Sequence, residues 1–338
     1  MESWKSYLQP DTKEWLLETN NPSVRYITLR HLLEKPETNT EVQHARQEIM
    51  KTGVVPAILE KQKSNGYWED PERFYNAKYK GTVWQLMILA EHYADGNDER
   101  IRNACQFILR HSQDQESGGF AYSTSAKKGG GRHSEVIPCL TGNMVWSLIR
   151  LGYLTNPLVK RGIEWITTYQ RFDDRIPEPP KGWPYDRLKT GCFSNHTCHM
   201  GAVKGLKAVA EIPENKRTTA VKKTIEKGAE YFLLHHVFKS SHHLDRVPKP
   251  GWLKFGFPLM YQTDALEILG ILTKLGYKDH RMQEAIDILV SKQATDGRWN
   301  LENTFNGRYH VNIEMKDKPS KWITVRALQV LKRYYHDL

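Results

Sequence analysis

The chain has 338 residues and a mass of 39.3 kDa; 39% of residues are hydrophobic and 26% charged, with a mean hydropathy of −0.64 and a formal net charge of +10. That composition suits a globular protein with room for a sizeable core, and no stretch approaches the roughly 18 uninterrupted apolar residues of a membrane span. The basic residues are spread along the chain without a nucleic-acid-binding motif, so they read either as solvated helix faces or as a surface for anionic small molecules, not for nucleic acid.

The opening segment, MESWKSYLQPDTKEW, is too polar for the apolar core of a signal peptide, which points to a cytoplasmic protein. Beyond it, Leu-rich apolar segments recur: TLRHLLEK (28–35), QLMILAEHY (85–93), SLIRLGY (147–153), GLKAVAEI (205–212), GILTKLGY (270–277) and ALQVLKRYY (327–335). Aligned on Leu32, Leu89, Leu151, Val209, Leu275 and Leu331, they return every 56 to 66 residues. Amphipathic segments such as RIRNACQFILRHSQ and RMQEAIDILVSKQ lie between them, with Cys105 of the first reading as a small buried hydrophobe. Each period also carries a turn, KQKSNGYW (61–68) and KQATDGRW (292–299) being closest to identical, with looser forms at SQDQESGGF (112–120), KGW (181–183) and PGW (250–252). Glycine there supplies a positive φ at a helix end and tryptophan packs one hairpin on the next.

This period is longer than that of the familiar open helical solenoids. It predicts an all-α fold, an α/α toroid of about six helical hairpins with inner and outer rings, forming one domain over residues 1–338. The inner helices are expected to begin near residues 22, 81, 140, 197, 261 and 320.

In the third period, KKGGGRH (127–133) reads as a basic loop or lid; no Lys-Ser/Thr pair follows it on a helix, so it is not a P-loop. At the fourth period, CFSNHTCHMG (192–201) gathers soft donors, and Cys139 begins the inner helix one period earlier. Thiolate and imidazole are the ligands zinc prefers, which makes Cys139, Cys192, His196 and Cys198 a candidate set at one rim of the ring. Trp84, Trp146, Tyr261 and Trp322 fall on inner helices and either fill the core or line a pocket. Asp264, Glu267 and Arg326 are inner-helix charges that need a partner or a ligand. Arg132, Trp146, His199, Tyr261, Asp264 and Arg326 are the candidate substrate-binding residues.

The K-Q-x-x-x-G-x-W turns and the helix-pair period resemble the α/α toroid of squalene–hopene cyclases and of protein prenyltransferase β subunits, from about Pro22 to Leu338. The cyclases' Asp-x-Asp-Asp acid is missing; the nearest stretch is Asp173-Asp174. His196-Thr197-Cys198 matches a triplet with which the prenyltransferases begin their zinc-binding repeat, and Cys139 matches their cysteine one repeat earlier. Ile137 stands where that family has its aspartate ligand, with Cys192 placed to replace it, and Arg132, Lys127 and Lys128 partly echo its diphosphate-binding cations. The resemblance implies a zinc-dependent prenyltransferase-like or terpenoid-cyclase-like enzyme acting on an isoprenoid or other lipophilic anionic substrate in the toroid cavity, with a possible partner subunit. The alternative is a non-catalytic ligand-binding or scaffold protein in which zinc staples adjacent repeats.

Overall fold

The computed structural model describes residues 3–174, 192 and 197–335. Among them the regular elements are helices, with β pairing confined to isolated bridges. In chain order the α-helices are α1 (Pro10–Leu16), α2 (Pro22–Ile27, continued by a π turn, Thr28–Leu32), α3 (Thr40–Glu48), α4 (Val54–Leu59), α5 (Thr82–Glu91), α6 (Glu99–His111) and α7 (Pro138–Arg150). They continue with α8 (Pro157–Tyr169), α9 (His199–Ala210), α10 (Thr219–Leu234), α11 (Ala265–Lys274), α12 (Gln283–Ser291) and α13 (Lys321–Tyr335).

Two kinds of helix alternate, and burial separates them. Every residue of α5, and every residue of α7 from Pro138 to Ile149, is buried, whereas α3, α6 and α12 bury one face. A helix apolar all round belongs inside and an amphipathic one outside. The inner helices pack in order, α5 on α7, α7 on α9, α9 on α11 and α11 on α13, and α13 returns to α2. Between α2 and α5, Ser23 Oγ donates to His92 O (2.8 Å) and Tyr26 meets Tyr93 edge-on. The protein is therefore an α/α toroid. Five of the six inner helices begin within two residues of expectation; the fifth starts at Ala265 because Asp264, in an extended conformation, is its N-cap and accepts from Glu267 N (2.8 Å).

The outer layer closes in a way the period does not announce. Helices α3, α6, α8, α10 and α12 each cover the inner helix just before them, and α1, the first helix of the chain, covers α13, the last. Tyr7 stacks on Tyr335, and Lys332 Nζ donates to Leu32 O (2.9 Å) across the seam.

The repeated turns work as three-way clamps. Trp68 Nε1 donates to Ile58 O (2.8 Å) at the end of one outer helix, and its backbone N–H donates to Thr82 Oγ1 (3.2 Å) at the start of the next inner helix. Trp299 repeats both bonds with Leu289 O (2.7 Å) and Thr324 Oγ1 (3.0 Å), and Phe120 N keeps the second with Thr141 Oγ1 (2.9 Å). The glutamine of each turn reaches forward to the next outer position: Gln62 to Arg100 O (2.8 Å), Gln113 to Leu158 O (2.7 Å), and Gln293 to Tyr7 O (2.8 Å). That last bond treats the N-terminal segment as the sixth outer element. The bonds of Trp68, Trp299 and Phe120 are buried, so each satisfies a donor that would otherwise be costly, while the glutamine bonds lie nearer the surface.

Candidate functional site

All six inner helices run the same way, so their N-terminal ends share one rim. Helix α7 opens with Pro138, whose fixed φ suits the first helical turn, and this places Cys139 beside it at the rim, buried. Helix α9 opens with Cys198 as N-cap. These two helices touch almost backbone to backbone: a Cβ on Gly142 would lie 2.4 Å from Lys204 C and 2.7 Å from Gly205 N. The absence of that atom lets α9 press on α7 and brings their first residues together.

At this rim the thiols of Cys192 and Cys198 share a hydrogen bond, and Cys139 acts on both electrostatically. The bond from Cys192, with the N–H groups of Gly201 and Met200 behind it, holds the Cys198 thiol below its ordinary range against the effect of burial. The same bond, with burial, drives Cys192 upward, and burial pushes Cys139 up to about 12. The shared bond favours a single negative charge on the Cys192–Cys198 pair, and burial disfavours one on Cys139. His196, the fourth member of the expected set, lies outside the described residues. Among the described residues no group of three or more His, Cys, Asp or Glu side chains is arranged to hold a metal ion.

Beside the thiols stands an aromatic cluster. Tyr75, Tyr79 and Tyr261 surround Trp84, with ring centroids 5.0, 5.1 and 6.3 Å from it. The ammonium of Lys78 lies 4.6 Å from the Tyr75 ring and 4.8 Å from the Tyr261 ring, within cation–π range of both. Lys78 acts electrostatically on Cys139, and Lys249 on Cys198. No motif marked Lys78; its only sequence signal is a basic, aromatic NAKYKG just ahead of an inner helix.

The expected substrate-binding residues do not share one place. Tyr261 stands at the thiol rim. His199 lies behind it, its ring stacked on Trp252 (4.1 Å), pushed down to about 3 by burial and so neutral, with Nε2 unbonded among the described residues. Arg132 is on an exposed loop, paired with Glu135 (3.1 Å). Asp264 caps α11 and also accepts from Gly256 N (2.8 Å), a buried structural role. Trp146 and Arg326 line a cavity further along the ring axis. Asp173 is paired with Arg171 (2.6 Å) and Asp174 with His242 (2.8 Å), so neither is a free acid.

Between the two ends the axis is filled by charge. Lys204 meets Glu267 (2.7 Å), Lys207 joins Glu267 (3.1 Å) to Glu91 (2.8 Å), and Arg326 completes the chain at Glu91 (2.5 Å). Burial alone would raise both carboxyls, but the surrounding cations hold Glu91 and Glu267 below the ordinary range, so they stay ionised.

No protein-family model matches the chain, nor does any curated protein. Among solved structures, a family 76 glycoside hydrolase from a bovine Bacteroides thetaiotaomicron strain aligns at 13% identity over 94% of this chain and 67% of its own, with a TM-score of 0.47. A possible member of the GH105 family from Salmonella enterica aligns at 12% identity over 94% and 82%, TM-score 0.46. The type II terpene cyclase MstE from Scytonema aligns at 12% over 95% and 98%, TM-score 0.41. Likenesses this distant decide nothing about chemistry, and the toroid assignment rests on the ring contacts above. No helix among the described residues is long and apolar enough to cross a membrane.

Proposed function

We propose that the thiol rim is the active site of a zinc-dependent enzyme whose substrate has an apolar body and an anionic head, an isoprenoid diphosphate being the model for such a molecule. The observation that supports this reading is the hydrogen bond between Cys192 and Cys198, with Cys139 beside them and the Lys78 aromatic cluster next to Cys139 and Cys192. In this reading Cys139, Cys192, Cys198 and His196 hold the metal, and the donor chemistry is that of zinc. Zinc bound there supplies a Lewis acid that activates a nucleophile or polarises the substrate. Tyr75, Trp84 and Tyr261 cover the apolar body, while Lys78 and Lys249 attract the anionic head. A partner subunit that presents the second substrate belongs to the same reading.

The filled ring axis favours a second reading, a non-catalytic protein in which zinc staples α7 to α9, because the buried Lys204–Glu267 pair puts charge on the axis behind the rim, where an apolar substrate body would have to enter. The two are separated by measuring zinc content, thermal stability and binding of a prenyl diphosphate in the native chain and in Cys198→Ser and Lys78→Gln. Under the enzymatic reading, Cys198→Ser loses zinc with the fold intact, and Lys78→Gln keeps zinc but weakens binding. Zinc loss accompanied by unfolding, with no prenyl diphosphate bound by the native chain, establishes the staple.

A further inference from the structure

At the opposite end of the ring, where the inner helices finish, a cavity of about 230 Å3 opens between α7, α9, α11 and α13. Its charges divide into two groups. The inner group is nearly balanced, with Glu91 and Glu267 facing Lys204, Lys207 and Arg326. The outer group is not: Glu211 faces Arg150 (3.4 Å) and Lys274 (2.6 Å), while Arg333, also lining the cavity, makes no hydrogen bond or ion pair among the described residues. Three cations therefore share one carboxylate. His31, the nearby titratable wall residue, is pushed down to about 4 by burial and adds no charge at neutral pH.

Cations at helix C-termini ordinarily serve helix carbonyl ends, and Lys332 of α13 serves that of a neighbour, bonding His31 O and Leu32 O at the end of the π turn that follows α2. Arg150 and Lys274 instead turn to Glu211, and the last carbonyls of α7 and α11 are already closed by backbone N–H groups. Partly buried positive charge in excess is costly unless an anion completes it.

We propose that this mouth binds a small soluble phosphate-bearing anion, gripped by Arg150, Lys274 and Arg333. An excess of two positive charges matches a phosphate dianion, and two guanidinium groups offer the paired donors that phosphate oxygens accept. The cavity is too small for a polymer, and Trp146 and Trp322 in its walls suit a compact organic group. The site is independent of the thiol rim and stands or falls without it.

The test is calorimetric titration of the full chain with inorganic phosphate and with glycerol 3-phosphate, at constant ionic strength against chloride. We expect saturable binding at one site, weakened at least about tenfold by Arg333→Gln and largely retained by Arg333→Lys. Gly270→Leu is the second variant: Gly270 lines the cavity and a Cβ there meets nothing nearer than Val330 Cγ2 at 4.0 Å, so the side chain fills the space without removing a charge. It is expected to abolish binding while circular dichroism and thermal unfolding stay those of the native chain. Heat no different from that of chloride overturns the proposal, as does native-like binding by both Arg333→Gln and Gly270→Leu. Attachment to phosphatidic acid vesicles that inorganic phosphate does not compete would overturn the soluble-ligand assignment.

Discussion

Lys204 Nζ lies 2.8 and 2.7 Å from the two carboxylate oxygens of Glu267, with both side chains almost wholly shielded from water at the ring axis. The pair sits between the thiol rim and the cationic mouth and keeps them apart. Two ions removed from water hold only while each has the other, because an unpartnered buried charge is far costlier than the net worth of the pair.

Replacing Lys204 with Met is therefore expected to destabilise the protein by about 3–5 kcal/mol, measured by urea unfolding. Lys204→Met combined with Glu267→Gln is expected to recover part of that loss, a positive coupling in a double-mutant cycle. Additive losses would show that the pair is not a unit.

At the first clamp, Gly66 has φ of 83° and a Cβ there would stand 2.5 Å from Asn103 C, a backbone atom of α6. Gly66→Ala combines a strained backbone with a clash that no side-chain movement relieves, and is expected to cost about 1–3 kcal/mol or more. Gly152, also at positive φ (92°) but with nothing within 4 Å, is the comparison, since Ala there meets the strain alone. Equal losses at the two positions would deny the clamp its packing role.

These clamps show why the ring was legible in the sequence and its closure was not. Gln62, Gly66 and Trp68 recur as Gln293, Gly297 and Trp299 because each makes the same bonds, so the geometry forced the spelling. Helix α1 carries no period residue, and its role as sixth outer helix appears in the structure, where it covers α13, Thr12 Oγ1 donates to Asp296 O (2.9 Å) and Gln293 reaches Tyr7 just ahead of it. The thiol rim was half legible: the spacing marked Cys139, Cys192 and Cys198, but the cation of the aromatic cluster, Lys78, lies in a loop without a motif. Arg132, picked for its nearness to Cys139 in sequence, instead pairs with Glu135 on the surface. The cationic mouth was written in register but disguised. Arg150 and Lys274 hold the same place in SLIRLGY and GILTKLGY, and Glu91, Glu211 and Arg333 each follow the aligned apolar residue by two. Basic residues closing a helix look ordinary until the ring turns them toward one axis.

The mouth also sets a pH dependence. Burial would raise the Glu211 carboxyl, but Arg150 and then Lys274 outweigh it and lower the group from 4.5 to about 2. A depressed carboxyl contributes stability above its unfolded value, so this contribution is complete above about pH 4.5 and is lost as pH falls toward about 2, amounting to about 3 kcal/mol. Thermal unfolding across that window is expected to show the loss in the native chain and to lack it in Glu211→Gln. An unchanged slope in Glu211→Gln would remove Glu211 from the account.

The most direct measurement of the central claim, a thiolate-bound metal at the rim of α7 and α9, is the absorption spectrum of the native chain titrated with cobalt(II). Thiolate ligands give a near-ultraviolet charge-transfer band that grows with their number, and tetrahedral geometry gives strong visible bands. The account expects one metal per chain, a charge-transfer band consistent with three thiolates, and its stepwise weakening in Cys139→Ser and Cys192→Ser. A natively folded chain that takes up neither zinc nor cobalt, with the thiols of Cys139, Cys192 and Cys198 all free to react, would contradict it.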